Sequence, residues 1–206
     1  MPWNPEDWDA WIDTGSIAFG RSAPHLAHVR QILEHLPDRE RKTVGDLGRR
    51  RAQPLPLLES LFQRVLLVDS DEGARKPVGR VTEAGMARCT LGDLDRLRVR
   101  LDVTVAVDAI VGPRSRDVDR TLVLVHGALV EGGVLVATFP ASPWSDRPFT
   151  MQLGPRASER EPQFHEVELQ YRLQRAGFQG VRVRRVHSGI ERRERLLCMA
   201  VRRAWN

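Results

Sequence analysis

Lysine is nearly missing from this chain. Lys42 and Lys76 are the only two, so almost all the positive charge behind a net balance of +5 is arginine. A basic balance is compatible with an acidic partner such as nucleic acid. An arginine bias also follows from genome base composition, which makes nucleic acid the less favoured partner. Cysteine is scarce as well. Cys89 and Cys198 stand far apart in apolar runs, without metal-type spacing, and are expected as buried free thiols. No run approaches the ~20 apolar residues that cross a bilayer. The start, MPWNPEDWDAW, is acidic and aromatic and lacks the positive end and apolar run of a secretory signal. The expectation is a cytoplasmic protein with no membrane partner. Internal repeats and low-complexity tracts are missing too.

What remains is ordinary for a folded domain: 206 residues, 41% hydrophobic and 29% charged, enough to bury one core. Residues 1–22 carry Trp3, Trp8, Trp11 and Phe19 in an irregular or short-helical setting. Leu26, Val29, Ile32, Leu33 and Leu36 fall at helical spacing, with Pro24 suited to the first turn and Pro37 as the stop. From residue 42 short apolar runs alternate with helical patterns. KTVGDLG reads as a strand, PLPLLESLFQ as a short helix, and RVLLVD as a strand ending in Asp69. Residues 71–85 are broken helix or loop. ARCTLGD and LDVTVAVD read as strands, and SRDVDRTLVLVHGALVEGG as a helix closed by Gly132 and Gly133. GVLVATF is a further strand, followed by a proline-rich loop over 140–161. FHEVELQYRLQRAGF is an amphipathic helix, and GVRVRRV and RLLCMAV are strands antiparallel to each other. Continuous apolar strands alternating with helices imply a parallel sheet covered on both faces. The expected division is a cap segment and helix over 1–40 and an α/β domain over 41–206.

From about Thr43 to Arg203 this order of segments resembles a class I S-adenosylmethionine (SAM)-dependent methyltransferase. VGDLG is similar to the first strand and the start of the glycine loop, and VLLVDSD to the second strand with its terminal acid. LGDLDRL is similar to the loop after the third strand, LDVTVAVDAI to the fourth strand and its functional loop. LVHGALVEGGVLVATF resembles the helix, Gly-Gly turn and fifth strand, and LQRAGFQGVRV the last helix and its turn. The resemblance implies a Rossmann-like three-layer α/β/α sandwich. Its sheet would be mostly parallel and seven-stranded, with one antiparallel strand, behind an N-terminal helical cap. It also implies SAM as cofactor. The expected cofactor-binding set is Asp46, Gly48, Asp69, Asp93 and Asp108. Asp69 lies 23 residues after Asp46 and would accept hydrogen bonds from the ribose hydroxyls; an ordinary strand-end turn is the alternative. Asp93 would accept from the adenine amino group, and Gly48 would admit the ligand. Asp108 stands after the fourth strand, where the family often places substrate-facing groups. No residue is singled out as catalytic.

The glycine loop departs from the family's pattern. Asp46-Leu47-Gly48-Arg49-Arg50-Arg51-Ala52 keeps the acid and the first glycine, but puts Arg50 and Ala52 at the second and third. Glycine serves there because the backbone must turn tightly and approach the ligand without a Cβ. Arg50 would fill the space of the methionyl part and set a positive charge beside a positive sulfonium. Three readings stay open. The first is a scaffold or partner subunit that has lost SAM. In the second, SAM still binds while Arg49–Arg51 point outward. In the third, the triplet, helped by the arginine-rich tail from Arg182 to Arg203, meets a phosphate-bearing ligand or nucleic acid. The expected partner is another protein or a second copy of the chain. VDAIVGP lacks the Pro-Pro-aromatic motif of amino-group methylation. His25, His28 and His35 share a helix without an acid–histidine metal pattern, and no metal site is expected. The tryptophans of the start would pack on the domain or lid a pocket, and Trp144 would line one.

Overall fold

Valine- and leucine-rich runs form one seven-stranded sheet. Its strands are β1 (Thr43–Asp46), β2 (Arg64–Asp69), β3 (Met86–Thr90), β4 (Leu101–Val107), β5 (Leu129–Pro140), β6 (Phe178–Ser188) and β7 (Arg193–Arg202). The structure is a computed structural model that describes residues 24–47, 55–69, 86–96, 98–110, 115–142, 163–188 and 193–203. The expectations for residues 1–22, Gly48 with the Arg49–Arg51 loop, residues 71–85 and Trp144 lie outside the described residues.

The strands lie in the order β3-β2-β1-β4-β5-β7-β6. Neighbours from β3 through β5 pair parallel, and β7 runs antiparallel to both β5 and β6. The chain moves outward from β1 to β3, then returns to place β4 on the other side of β1. Among the described residues five α-helices cover the sheet: α1 (Pro24–Glu34), α2 (Leu55–Leu61), α3 (Leu91–Arg96), α4 (Ser115–Ala128) and α5 (Glu166–Arg175). On one face Val29, Ile32 and Leu33 of α1 pack with Leu58 of α2 over Val44, Val105 and Val136. On the other, Leu94, Leu122, Val125 and Leu169 share a core with Leu135 and Phe139. Each such side chain contributes roughly 1.5–3 kcal/mol by leaving water. Burial on both faces is why the central strands are continuously apolar rather than alternating. The expected three-layer α/β/α architecture, mostly parallel with one antiparallel strand, is what the chain adopts. Cys89 and Cys198 are buried free thiols, and burial pushes them up to about 11 and about 12 respectively.

Two boundaries differ from the sequence expectation. Gly132 and Gly133 do not close α4, which ends at Ala128 with β5 following directly. Leu101 pairs with Leu129 but Val103 with Val134, so the chain bulges between them. Gly132 takes φ 75° there, and a Cβ on Gly133 would lie 2.8 Å from the Val130 carbonyl oxygen. The glycines therefore serve a strand bulge. The second difference is that β3 stops at Thr90, and Leu91-Gly92-Asp93 opens α3 instead of extending the strand.

Gly45 lies in mid-β1, where a Cβ would come within 2.5 Å of Leu101 Cδ1 and 3.4 Å of Val68 Cγ2. Both neighbours are packed into the core. Gly45→Ala is expected to destabilise the fold by about 2 kcal/mol through overpacking. Gly127, exposed in α4 with nothing within 4 Å of its Cβ position, is the matched control. Gly127→Ala is expected to be neutral or to stabilise by up to ~1 kcal/mol. Urea unfolding of the two variants checks the contrast.

Candidate functional site

In an open sheet of this kind the helices on either side of the order reversal diverge, leaving a crevice at the carboxyl ends of the strands. Here that point lies between β1 and β4. Asp46 is the last residue of β1 and is only 1% exposed. Neither carboxylate oxygen accepts a hydrogen bond from the described residues. Desolvation by burial raises its pKa from 3.8 to about 6. A carboxylate in this state costs free energy until a donor, best a cation, reaches it.

Asp46 pairs with Leu67, so Asp69 stands two residues further along the neighbouring strand, and Asp69 in turn pairs with Thr90 of β3. The register thus brings Asp46, Asp69 and the Thr90–Asp93 turn to the same end of three adjacent strands. Asp93 has a local task. Its backbone N–H donates to Thr90 Oγ1 at 3.2 Å, while its Oδ2 accepts from Thr90 N at 3.1 Å and Thr90 Oγ1 at 2.8 Å. This reciprocal capping box opens α3 and fixes the loop after β3. Gly48 is outside the described residues.

Asp108 follows β4 with φ 49°, a left-handed conformation that Asp tolerates better than most residues. Its N–H donates to Thr138 Oγ1 at 3.0 Å. Its Oδ1 accepts from Thr138 Oγ1 at 3.1 Å, and its Oδ2 from Arg195 Nε at 2.9 Å. Both oxygens are engaged, so the carboxylate clamps β4 to β5 and β7.

The sequence reading set the arginine-rich tail from Arg182 to Arg203 against an external anion and missed its partners within the fold. Arg185 donates from Nε to Glu166 at 3.1 Å and from Nη1 to the Ser142 carbonyl at 2.8 Å, and also pairs with Glu194. The signal was Arg185 directly after Arg184, on the face of Val183, where strand alternation calls for an apolar residue. Arg202 donates to the carbonyls of Gly127 and Leu129 near the end of α4, and Arg182 to the Val181 carbonyl. Much of the tail's positive charge is therefore engaged within the fold. His126 packs edge-on against Phe178, and burial lowers its pKa. His165 caps α5 by accepting from Val167 N. A hollow of about 400 Å³ beside Glu40, Glu59, Phe62 and Val65 lies at the opposite, amino end of β2, away from the acids.

No protein-family model matches this sequence, and no curated protein does. Solved structures do. A Burkholderia thailandensis 1,6-didemethyltoxoflavin-N1-methyltransferase, solved with bound 1,6-didemethyltoxoflavin and S-adenosylhomocysteine, is 20% identical, with TM-score 0.63 over 97% of this chain and 83% of that one. The cyclase SpnF is 13% identical, with TM-score 0.64 over 92% and 86%. A methyltransferase in complex with a Haloferax volcanii methyltransferase activator is 17% identical, with TM-score 0.58 over 87% and 90%. These likenesses, at this level of identity, are likenesses of architecture, and they agree with the strand order derived above: the chain has the class I SAM-dependent methyltransferase fold.

Proposed function

We propose that this chain binds SAM at the carboxyl ends of β1–β3 and acts as a SAM-dependent methyltransferase. The observation that carries this reading is Asp46, a buried carboxylate at the order reversal with no hydrogen bond from the described residues. A charge-assisted hydrogen bond from an amino group would offset the cost of its burial. The amino end of SAM is such a group, so the donor set fits. Asp69 would accept from the ribose hydroxyls at the end of β2. The Thr90–Asp93 turn, stiffened by its capping box, would border the adenine. When bound, SAM supplies an electrophilic methyl group to a nucleophilic atom of the acceptor. The chain's own share is to hold the two reactants in line and exclude water, which is most of what such a transfer asks of a protein. Buried Leu47, Ala109 and Ile110 supply an apolar lining to the ends of β1 and β4.

A second reading, a partner subunit that has lost SAM, draws on Arg49–Arg51 standing where the family keeps glycines. The fold hosts other chemistry, since one structural neighbour is a cyclase, and another neighbour is held in a protein complex. Calorimetric titration with SAM and S-adenosylhomocysteine separates the two. The methyltransferase reading expects micromolar dissociation constants, and Asp69→Asn to weaken binding by about tenfold. No heat and no thermal shift at millimolar ligand would sink it. Binding that appears only after Arg50→Gly would establish the partner-subunit reading. The nucleic-acid reading draws less support, because Arg185, Arg195 and Arg202 already have partners inside the fold.

A further inference from the structure

The β5–β7 side of the same end of the sheet carries a second polar feature. Because β7 is antiparallel to its neighbours, its start lies at their carboxyl ends. Arg195 there pairs with Pro140 of β5 and Val186 of β6. Strand alternation sets Arg195 on the face of Leu197 and Met199, which is also the face of Val44 and hence of Asp46. Three strand spacings sideways and, from the register Asp46–Val105–Val136–Met199, four residues along the strand put the two positions roughly 20 Å apart. That is room for a second molecule beside one seated at Asp46.

Arg195 is 12% exposed, and among the described residues it donates only from Nε, to Asp108 Oδ2. Guanidinium has five N–H donors in a planar fork. Among the described residues neither Nη group of Arg195 has a hydrogen-bond partner, whereas Arg185 and Arg202 each donate from Nη1 to main-chain carbonyls. The Arg195 side chain is also held in direction. Asp108 receives it at Oδ2 while Thr138 holds Asp108 at Oδ1 and at the backbone. A mostly buried fork with one end anchored and the other open is preorganised for a planar or tetrahedral oxyanion, which takes two parallel N–H donors.

We infer that the acceptor substrate carries a carboxylate or phosphate group, and that the Nη end of Arg195 recognises it on the β4–β5–β7 side of the crevice. Asp108 balances the arginine in the free protein and sits at its Nε, the far end of the fork from the incoming anion. This inference rests on the SAM-binding reading only in taking the adjoining crevice as the cofactor's.

The test uses matched probes on the full chain saturated with S-adenosylhomocysteine: benzoate against benzamide, and phenyl phosphate against phenol, by saturation-transfer NMR and calorimetry. One acid of the two is expected to bind about tenfold or more tightly than its neutral twin. Which acid prefers the site tells carboxylate from phosphate. Arg195→Gln alone strands the Asp108 carboxylate, so the deciding variant is Arg195→Gln with Asp108→Asn, which removes both charges together. It should bind acid and neutral twin within about twofold of each other while its circular dichroism stays the parent's. Arg195→Lys, which keeps the charge and loses the fork, should reduce the preference without abolishing it. Equal binding of acid and neutral twin in the parent, no binding of either acid, or a preference surviving in the double variant would overturn the inference. Acid preference in a chain that takes no S-adenosylhomocysteine would leave the inference standing and remove the cofactor reading instead.

Discussion

At pH 8 the Asp46→Asn protein is expected to be more stable than the parent chain and to bind SAM at least about tenfold more weakly. The two effects share one cause. The Asp46 carboxylate is almost fully buried, and desolvation raises its pKa from 3.8 to about 6. Between these values the folded chain keeps a proton that the unfolded chain has released. The Asp46 contribution to folding stability is therefore greatest below about pH 4, falls as pH rises through about 6, and levels off above it. At 1.36 kcal/mol per pKa unit the whole decline is on the order of 3 kcal/mol. Asparagine cannot ionise, so its curve should be flat across this window. Its amide is still a buried polar group, which limits the recovery at pH 8 to roughly 1–2 kcal/mol, or a few degrees of melting temperature. Saturating SAM should flatten the parent's curve as well, because an ammonium group at Asp46 favours the ionised form. Chemical denaturation from pH 4 to pH 8, with and without SAM, checks all three statements. A variant whose stability keeps the parent's slope would show that Asp46 is not strained, and one whose SAM affinity is unchanged would show that ligand does not engage it. A variant that is more stable yet binds less well would mark Asp46 as kept for function at the fold's expense.

The parts of this architecture that were legible in the sequence are those set by local pattern. Runs such as LDVTVAV and GGVLVATF are apolar without alternation because helices cover both faces of the sheet, and that alone indicates parallel strands. The acids at the ends of β1 and β2 were legible because a strand end is a place in the sequence as well as in space. What was not legible depends on pairing. Gly132 and Gly133 read equally as a helix stop and as a bulge until Leu101 and Val103 are known to pair with Leu129 and Val134. The box from Thr90 to Asp93 was hidden inside a run whose strand ends at Thr90, one residue before its last apolar residue, Leu91. Arg195 meets Asp108 across 87 residues, and no spacing rule reaches that far. Asp46 shows the same limit from the other side. Its position was readable, but its lack of a partner is a property of its surroundings.

Long-range pairing is also where the largest loss of stability is expected. Arg185→Met should destabilise the chain by about 3 kcal/mol, because removing one partner of a buried ionic cluster leaves the others desolvated without compensation. The Arg185 side chain is 8% exposed, against 37% for Glu166 and 25% for Glu194. It joins α5 through Glu166, β7 through Glu194, and the segment after β5 through the Ser142 carbonyl. That segment is further tied by a bridge between Ala141 and Phe164, with Phe164 packed edge-on against Phe139. Arg30 and Glu34 give the comparison: a pair at 61% and 39% exposure within one helix, for which Arg30→Met should cost no more than ~0.5 kcal/mol and should lose that little in high salt. The cost of Arg185→Met should depend less on salt than that of Arg30→Met, since the Arg185 guanidinium is buried. Adding Glu194→Gln to Arg185→Met should restore part of the loss by removing the carboxylate that the first change deprives of its cation. Urea unfolding at low and high salt measures each term. If Arg185→Met costs less than ~1 kcal/mol, or if Glu194→Gln deepens the loss instead of relieving it, the cluster does not hold this end of the sheet together.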